Sequence, residues 1–68
     1  MRTNLKSFRV KHGNLSQQEM ADKIGCCRTT YAAVENGTRE GKDKFWSLLQ
    51  KTFEVPDAEM WSLKQVDD

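Results

Sequence analysis

The side chains best equipped for chemistry in this chain sit together in "GCCRTT", residues 25–30. Two adjacent thiols, Cys26 and Cys27, could form a metal site, a redox pair, or two small side chains with no thiol chemistry. Neighbouring cysteines cannot cross-link distant parts of a chain. The one histidine, His12, has no suitably spaced second ligand and is expected as a packed or capping group. Elsewhere there is no glycine-rich phosphate loop, no nucleophile–base pair and no acidic dyad with a pocket to hold it. No catalytic residue, metal ligand, cofactor or small-molecule ligand is therefore expected, and the chain reads as a non-enzyme. What the cysteine pair does must follow from the elements around it.

The chain has 68 residues, the size of a single small domain spanning 1–68 whose core is only marginally stabilising. No apolar run approaches a membrane span, and the first residues lack the apolar core of a signal peptide. The expected compartment is the cytoplasm, where thiols stay reduced, and no membrane partner is expected. The net charge of +1 conceals an uneven distribution. Residues 1–44 hold nine basic against five acidic side chains, whereas residues 45–68 hold two basic against five acidic. A basic front and an acidic tail suggest a polyanionic partner for the front.

All periodicity in the sequence is helical. Asn4 is expected to cap a first helix with Leu5 and Phe8 inward, ended by Gly13-Asn14. Ser16 and Glu19 have the spacing of a capping box, and Leu15 with Met20 that of a hydrophobic staple. Met20, Ala21 and Ile24 form the buried stripe of the second helix, which Gly25 stops. A third helix is expected over 28–35 with Tyr31 and Val34 inward, closed by Asn36-Gly37. A fourth starts near Asp43 and carries Phe45, Leu48, Leu49 and Phe53 at helical spacing. Pro56 opens a fifth with Met60, Trp61 and Leu63, and the C-terminal helices together cover about 43–64. The last residues, ending in Asp67-Asp68, are expected to fray. Phe45, Trp46, Phe53 and Trp61 are expected in the core, with Trp46 off the main stripe and therefore the alternative anchor for a dimer contact.

Two short helices joined by Gly25-Cys26-Cys27 have the form of a helix-turn-helix, in which a steep crossing demands a small residue at Ala21 and a positive φ at Gly25. The stretch "LSQQEMADKIGCCRTTYAAVENG" (15–37) resembles the helix-turn-helix of Cro and phage repressors, the XRE-like domains. Leu15, Ser16, Gln17, Ala21, Gly25, Glu35, Asn36 and Gly37 match that family's landmarks. The resemblance implies an all-α, lambda-repressor-like bundle of about five short helices with its helix-turn-helix at about 16–37. It further implies binding to double-stranded DNA, with the third helix in the major groove and a role in transcription regulation, as a small prokaryotic or phage repressor. Arg28, Thr29 and Ala33 then occupy base-reading positions, with Thr30 and Ala32 nearby. Ala33 departs from relatives that place a polar side chain there.

By the same resemblance Gln17 bonds a backbone phosphate, and Gln18, Asn36, Thr38, Arg39 and Lys42 or Lys44 line the flanking strand. Arg9 is expected to pair with Glu35. Cys26 fills an apolar slot of the turn, and Cys27 stands at the third helix's N-cap, where thiol control of binding is the lesser possibility. A weak homodimer assembled through the fifth helix or the tail would read two half-sites. The alternative from another class is a protein-interaction module on the same fold, antitoxin-like or polymerase-binding, without strong DNA affinity.

Overall fold

The computed structural model describes residues 1–67 and contains, among them, five helices and no strand: α1 (Thr3–Lys11), α2 (Gln17–Ile24), α3 (Arg28–Asn36), α4 (Asp43–Phe53) and α5 (Asp57–Leu63). No helix is long and apolar enough to cross a membrane. The expected all-α, five-helix architecture is what forms.

The motif helices start and stop as their sequence dictates. At the start of α2 the Glu19 N–H donates to Ser16 Oγ at 3.1 Å, and the Ser16 N–H donates to Glu19 Oε1 at 3.0 Å. Both arms of the capping box are closed, and the staple residues Leu15 and Met20 are both buried. At the end of α2, Gly25 takes φ +89°, a left-handed conformation that costs a residue with a Cβ roughly 1–2 kcal/mol. That turn sends the chain directly into α3, and α2 and α3 pack together more extensively than any other pair. Tyr31 and Val34 of α3 meet Met20, Ala21 and Ile24 of α2 in a core completed by Leu5, Phe8, Phe45, Leu49 and Leu63. Full burial of one such apolar side chain contributes about 1.5–3 kcal/mol, so the core outweighs every cap.

Several details depart from the expectations. Asn4 does not cap α1. It lies inside the helix, and its Nδ2 donates to the Ser62 carbonyl and Ser62 Oγ, both at 3.1 Å, tying α1 to α5. Pro56 is the N-cap of α5 rather than its first helical residue. Trp61 is 70% exposed, because Met60 and Leu63 alone take the inward positions of α5. Trp46, by contrast, is buried in the core as first expected, which leaves it unavailable for the alternative role of dimer anchor. Its indole Nε1 donates to the Glu40 carbonyl at 3.1 Å, and a Cβ on Gly41 (φ +81°) would come within 2.7 Å of that nitrogen. The ring is thus clamped beneath a loop that passes too close for any side chain but hydrogen. Phe45 is buried as expected, and Phe53 is half-buried, edge-on to Phe8 at 5.2 Å. His12 is a packed, capping group as expected: its ring lies 4.1 Å from that of Phe8 and its Nδ1 is 2.8 Å from the Phe8 carbonyl. The tail is tied down at Asp67, whose N–H donates to the Met1 carbonyl at 2.8 Å. Asp68 lies outside the described residues.

Candidate nucleic-acid interface

α3 has two chemically distinct faces. Tyr31, Val34 and Glu35 are buried, while Arg28, Thr29 and Asn36 are exposed and Thr30, Ala32 and Ala33 are half-exposed. Burial at 31, 34 and 35 follows the i, i+3, i+4 spacing of one helical face. Arg28, Thr29, Ala32, Ala33 and Asn36 therefore form the outward face, which includes all three positions expected to read bases. The start of this helix is lightly bonded. Cys27 is its N-cap with extended backbone angles, but the thiol accepts no cap hydrogen bond. Cys26 is half-buried against the core, where burial, and secondarily Cys27 beside it, push its thiol pKa up. Cys26 thus takes the apolar slot of the turn that the family pattern implies. Among the described residues no cluster of three potential metal ligands occurs.

The other end of α3 is anchored. Glu35 is only 1% exposed and is met by the Arg9 fork, with Nε to Oε2 at 3.0 Å and Nη2 to Oε1 at 3.1 Å. Arg9 Nη1 also donates to the Leu15 carbonyl, so one guanidinium joins α1, the approach to α2, and α3. The hydrogen bond to Glu35 outweighs desolvation and raises the Arg9 pKa further above its ordinary value. Gln17, at the first position of α2, points its amide at the same carboxylate, with Nε2 3.4 Å from Oε1. The Tyr31 hydroxyl is buried beside this pair and makes no hydrogen bond; burial first, and then the Glu35 carboxylate, push its pKa far up.

The expected phosphate contacts differ in how far the fold already engages them. Gln17 is half-buried and shares the Glu35 network, leaving one amide hydrogen and its oxygen for an outside partner. Gln18 is exposed but engaged along its own helix, donating from Nε2 to Asp22 Oδ1 at 2.9 Å. Thr38 donates both its N–H and its hydroxyl to the Ala33 carbonyl at 3.0 Å, which caps α3 and leaves the hydroxyl only as an acceptor. Thr30, Arg39 and Lys42, with Lys44, come together around one groove floored by Cys26, Val34, Phe45 and Leu48. Arg39, Lys42 and Lys44 are all exposed. Three cations and one carboxylate, Glu40, thus line this groove, a net positive balance suited to a phosphate backbone.

A residue the sequence did not single out organises this region. Arg2 is 4% exposed and donates to backbone carbonyls of both α3 and the following loop. Its acceptors lie more than thirty positions away, between Val34 and Lys64, so no local pattern could announce it.

The profile of one protein family, described as helix-turn-helix, matches residues 5–60. The chain belongs to the helix-turn-helix family. That is a family of transcription regulators. The chain is similar to the cryptic phage CTXphi transcriptional repressor RstR of Vibrio cholerae, at 37% identity over 88% of this chain and 53% of RstR. It is also similar to an uncharacterized HTH-type transcriptional regulator of Methanocaldococcus jannaschii, at 36% identity over 81% of this chain and 82% of the relative. The chain thus spans about half the length of RstR and most of the archaeal protein. No solved structure gives a significant match.

Proposed function

We propose that this helix-turn-helix protein is a sequence-specific binder of double-stranded DNA that represses transcription in the cytoplasm of a prokaryote or on behalf of a phage. The observation that carries this reading is the outward face of α3, with Arg28 and Thr29 exposed at its free N-terminal end and a cationic rim of Arg39, Lys42 and Lys44 beside it. In this reading α3 enters the major groove, where Arg28 donates a bidentate pair to guanine O6 and N7, worth roughly 1–3 kcal/mol of discrimination. Thr29 bonds a base edge or touches a thymine methyl, Thr30 lies alongside, and Ala33 offers only apolar contact. Gln17 uses its free amide hydrogen on a phosphate at the N-terminus of α2, where unpaired N–H groups add to the attraction. Gln18, Asn36, Thr38, Arg39 and Lys42 follow the flanking strand. Repression is supported by the likeness to RstR.

A dimer assembled on DNA would read two half-sites, and exposed Trp61 on α5 makes that helix the better candidate surface than the tail. With three or four phosphates met per half-site, log K should fall against log salt with a slope of about −5 to −7. Fluorescence anisotropy with a duplex from the protein's own promoter tests the reading. Gln17→Ala should weaken binding at every sequence, and Arg28→Ala should chiefly relax preference. Binding indifferent to both variants, or no salt-dependent affinity at all, overturns it.

Exposed Trp61, together with the hydrocarbon of Ala32 and Ala33 on α3, favours one second reading, a protein-interaction module on the same fold. Loss of a protein partner on Trp61→Ala, in a chain that shows no DNA affinity, would establish that alternative.

A further inference from the structure

We propose that Arg2 is a positioning residue for DNA binding: its buried guanidinium clasps the loop 37–42 and so presents Arg39 and Lys42 to the phosphate backbone. This rests on the DNA-binding function proposed above.

Among the described residues, every hydrogen bond that Arg2 donates goes to a backbone carbonyl and none to a carboxylate. Nη1 donates to the Val34 carbonyl at 2.5 Å and to the Arg39 carbonyl at 2.7 Å. Nη2 donates to the Glu40 carbonyl at 3.3 Å and Nε to the Lys64 carbonyl at 3.2 Å. Its backbone N–H donates to the Glu35 carbonyl at 2.7 Å. Val34 and Glu35 belong to the last turn of α3, and Lys64 is the C-cap of α5. The Glu35 and Lys64 carbonyls lack a helical partner, the Val34 carbonyl shares Arg2 with the Gly37 N–H at 3.1 Å, and all lie at the negative end of a helix dipole, so one cation suits both helix ends. Burial lowers the Arg2 pKa, with Glu40 opposing, but a guanidinium remains charged at any pH the fold survives.

Trp46 completes the clasp. Its ring centre is 5.6 Å from the Arg2 guanidinium carbon, and its Nε1 donates to the same Glu40 carbonyl that Arg2 Nη2 reaches. The carbonyls of residues 39 and 40 are thus both held from below, while the Arg39 side chain itself remains exposed. Arg2 is too buried to meet a phosphate. Its effect on DNA must pass through the loop, and that gives it a signature distinct from a direct contact and from a general loss of stability.

The test measures binding to a mixed-sequence DNA duplex as a function of salt, at a temperature where circular dichroism shows each variant folded. Non-specific binding depends on phosphate contacts and needs no knowledge of the operator. Arg2→Ala should reduce the magnitude of the salt slope by about two and weaken binding about tenfold at low salt, as two cations lose their fixed places. Arg2→Lys should recover part of both. Arg39→Ala with Lys42→Ala should give the same reduction, and adding Arg2→Ala to that pair should cost almost nothing more. If Arg2→Ala does not fold, Trp46→Phe carries the test: it keeps a ring beneath Arg2, loses the bond to Glu40, and should weaken binding about threefold with a shallower slope. A folded Arg2→Ala or Trp46→Phe with the wild-type slope, or full additivity with the Arg39 and Lys42 changes, overturns this inference alone. A wild-type chain without salt-dependent affinity overturns the DNA function and this inference together.

Discussion

The two ends of α3 are built differently. Its N-terminal end has an extended N-cap whose thiol bonds nothing, followed by exposed Arg28 and Thr29. Its C-terminal end is gripped by Arg9 through Glu35, by Thr38 through the Ala33 carbonyl, and by Arg2 through Val34 and Glu35. A helix that a partner reads benefits from such an asymmetry: one end defines the orientation, and the other keeps its donors uncommitted. Rigid support away from the contact surface is what allows side chains at that surface to meet a partner without a further ordering cost. The start of α2 offers an internal control, since there both arms of a capping box are closed.

The largest effect should come from breaking the anchored end. Glu35→Ala leaves the Arg9 fork without its carboxylate in a buried setting and should destabilise the fold by about 3–5 kcal/mol, read by urea unfolding. A loss under about 1 kcal/mol would show that Arg9 finds water or another acceptor, and that the two ends differ less than their bonding suggests. Arg28→Ala, at the open end, should barely change stability while costing about 1–3 kcal/mol of discrimination between a preferred duplex and its base-substituted version. If stability falls instead, Arg28 belongs to the fold and not to the contact.

Smaller effects sharpen the contrast between the two helix starts. Ser16→Ala should cost about 1 kcal/mol by opening the box, whereas Cys27→Ser should stabilise by about 0.5–1 kcal/mol by supplying the cap that α3 lacks. Both are read from thermal unfolding, and a destabilised Cys27→Ser would mean that the thiol contributes packing the cap cannot replace. The smallest effect is a pH dependence. The Ser16 backbone N–H, and then its side chain, hold the Glu19 carboxyl below its ordinary pKa. A lowered folded-state pKa contributes stability that is complete above the unfolded carboxylate value and lost as pH falls through the lower folded one. Glu19→Gln should therefore narrow the difference between stability at neutral and at acid pH, with no comparable change on the alkaline side.

Much of this protein was legible locally. The capping box, the glycine turn, the inward faces of α2 and α3 and the Arg9–Glu35 pair all follow from spacings of a few residues or from the family pattern those spacings compose. The outward face of α3 was legible for the same reason, since fixing three buried positions on a helix leaves the rest outside. The place of the cysteine pair in the turn was legible in the same way, once Gly25 marked that turn. Asn4 and Trp61 were not legible. Asn4 has a good cap's side chain but bonds Ser62, fifty-eight positions away.

The sequence by itself determined that helices form here, where α2 and α3 start and stop, which of their faces is apolar, and that the two meet through a turn. Only the tertiary structure decided what covers each face. Periodicity specifies a direction around a helix axis, whereas burial depends on whether another segment arrives there. Trp46 is buried because the loop at Gly41 and the Arg2 side chain close over it, and Trp61 is exposed because none of the described residues does the same for α5. Arg2 shows the limit most clearly. Its charge marks it for the surface, but carbonyls of two helix ends and a loop converge on it, and that convergence exists only in the folded chain.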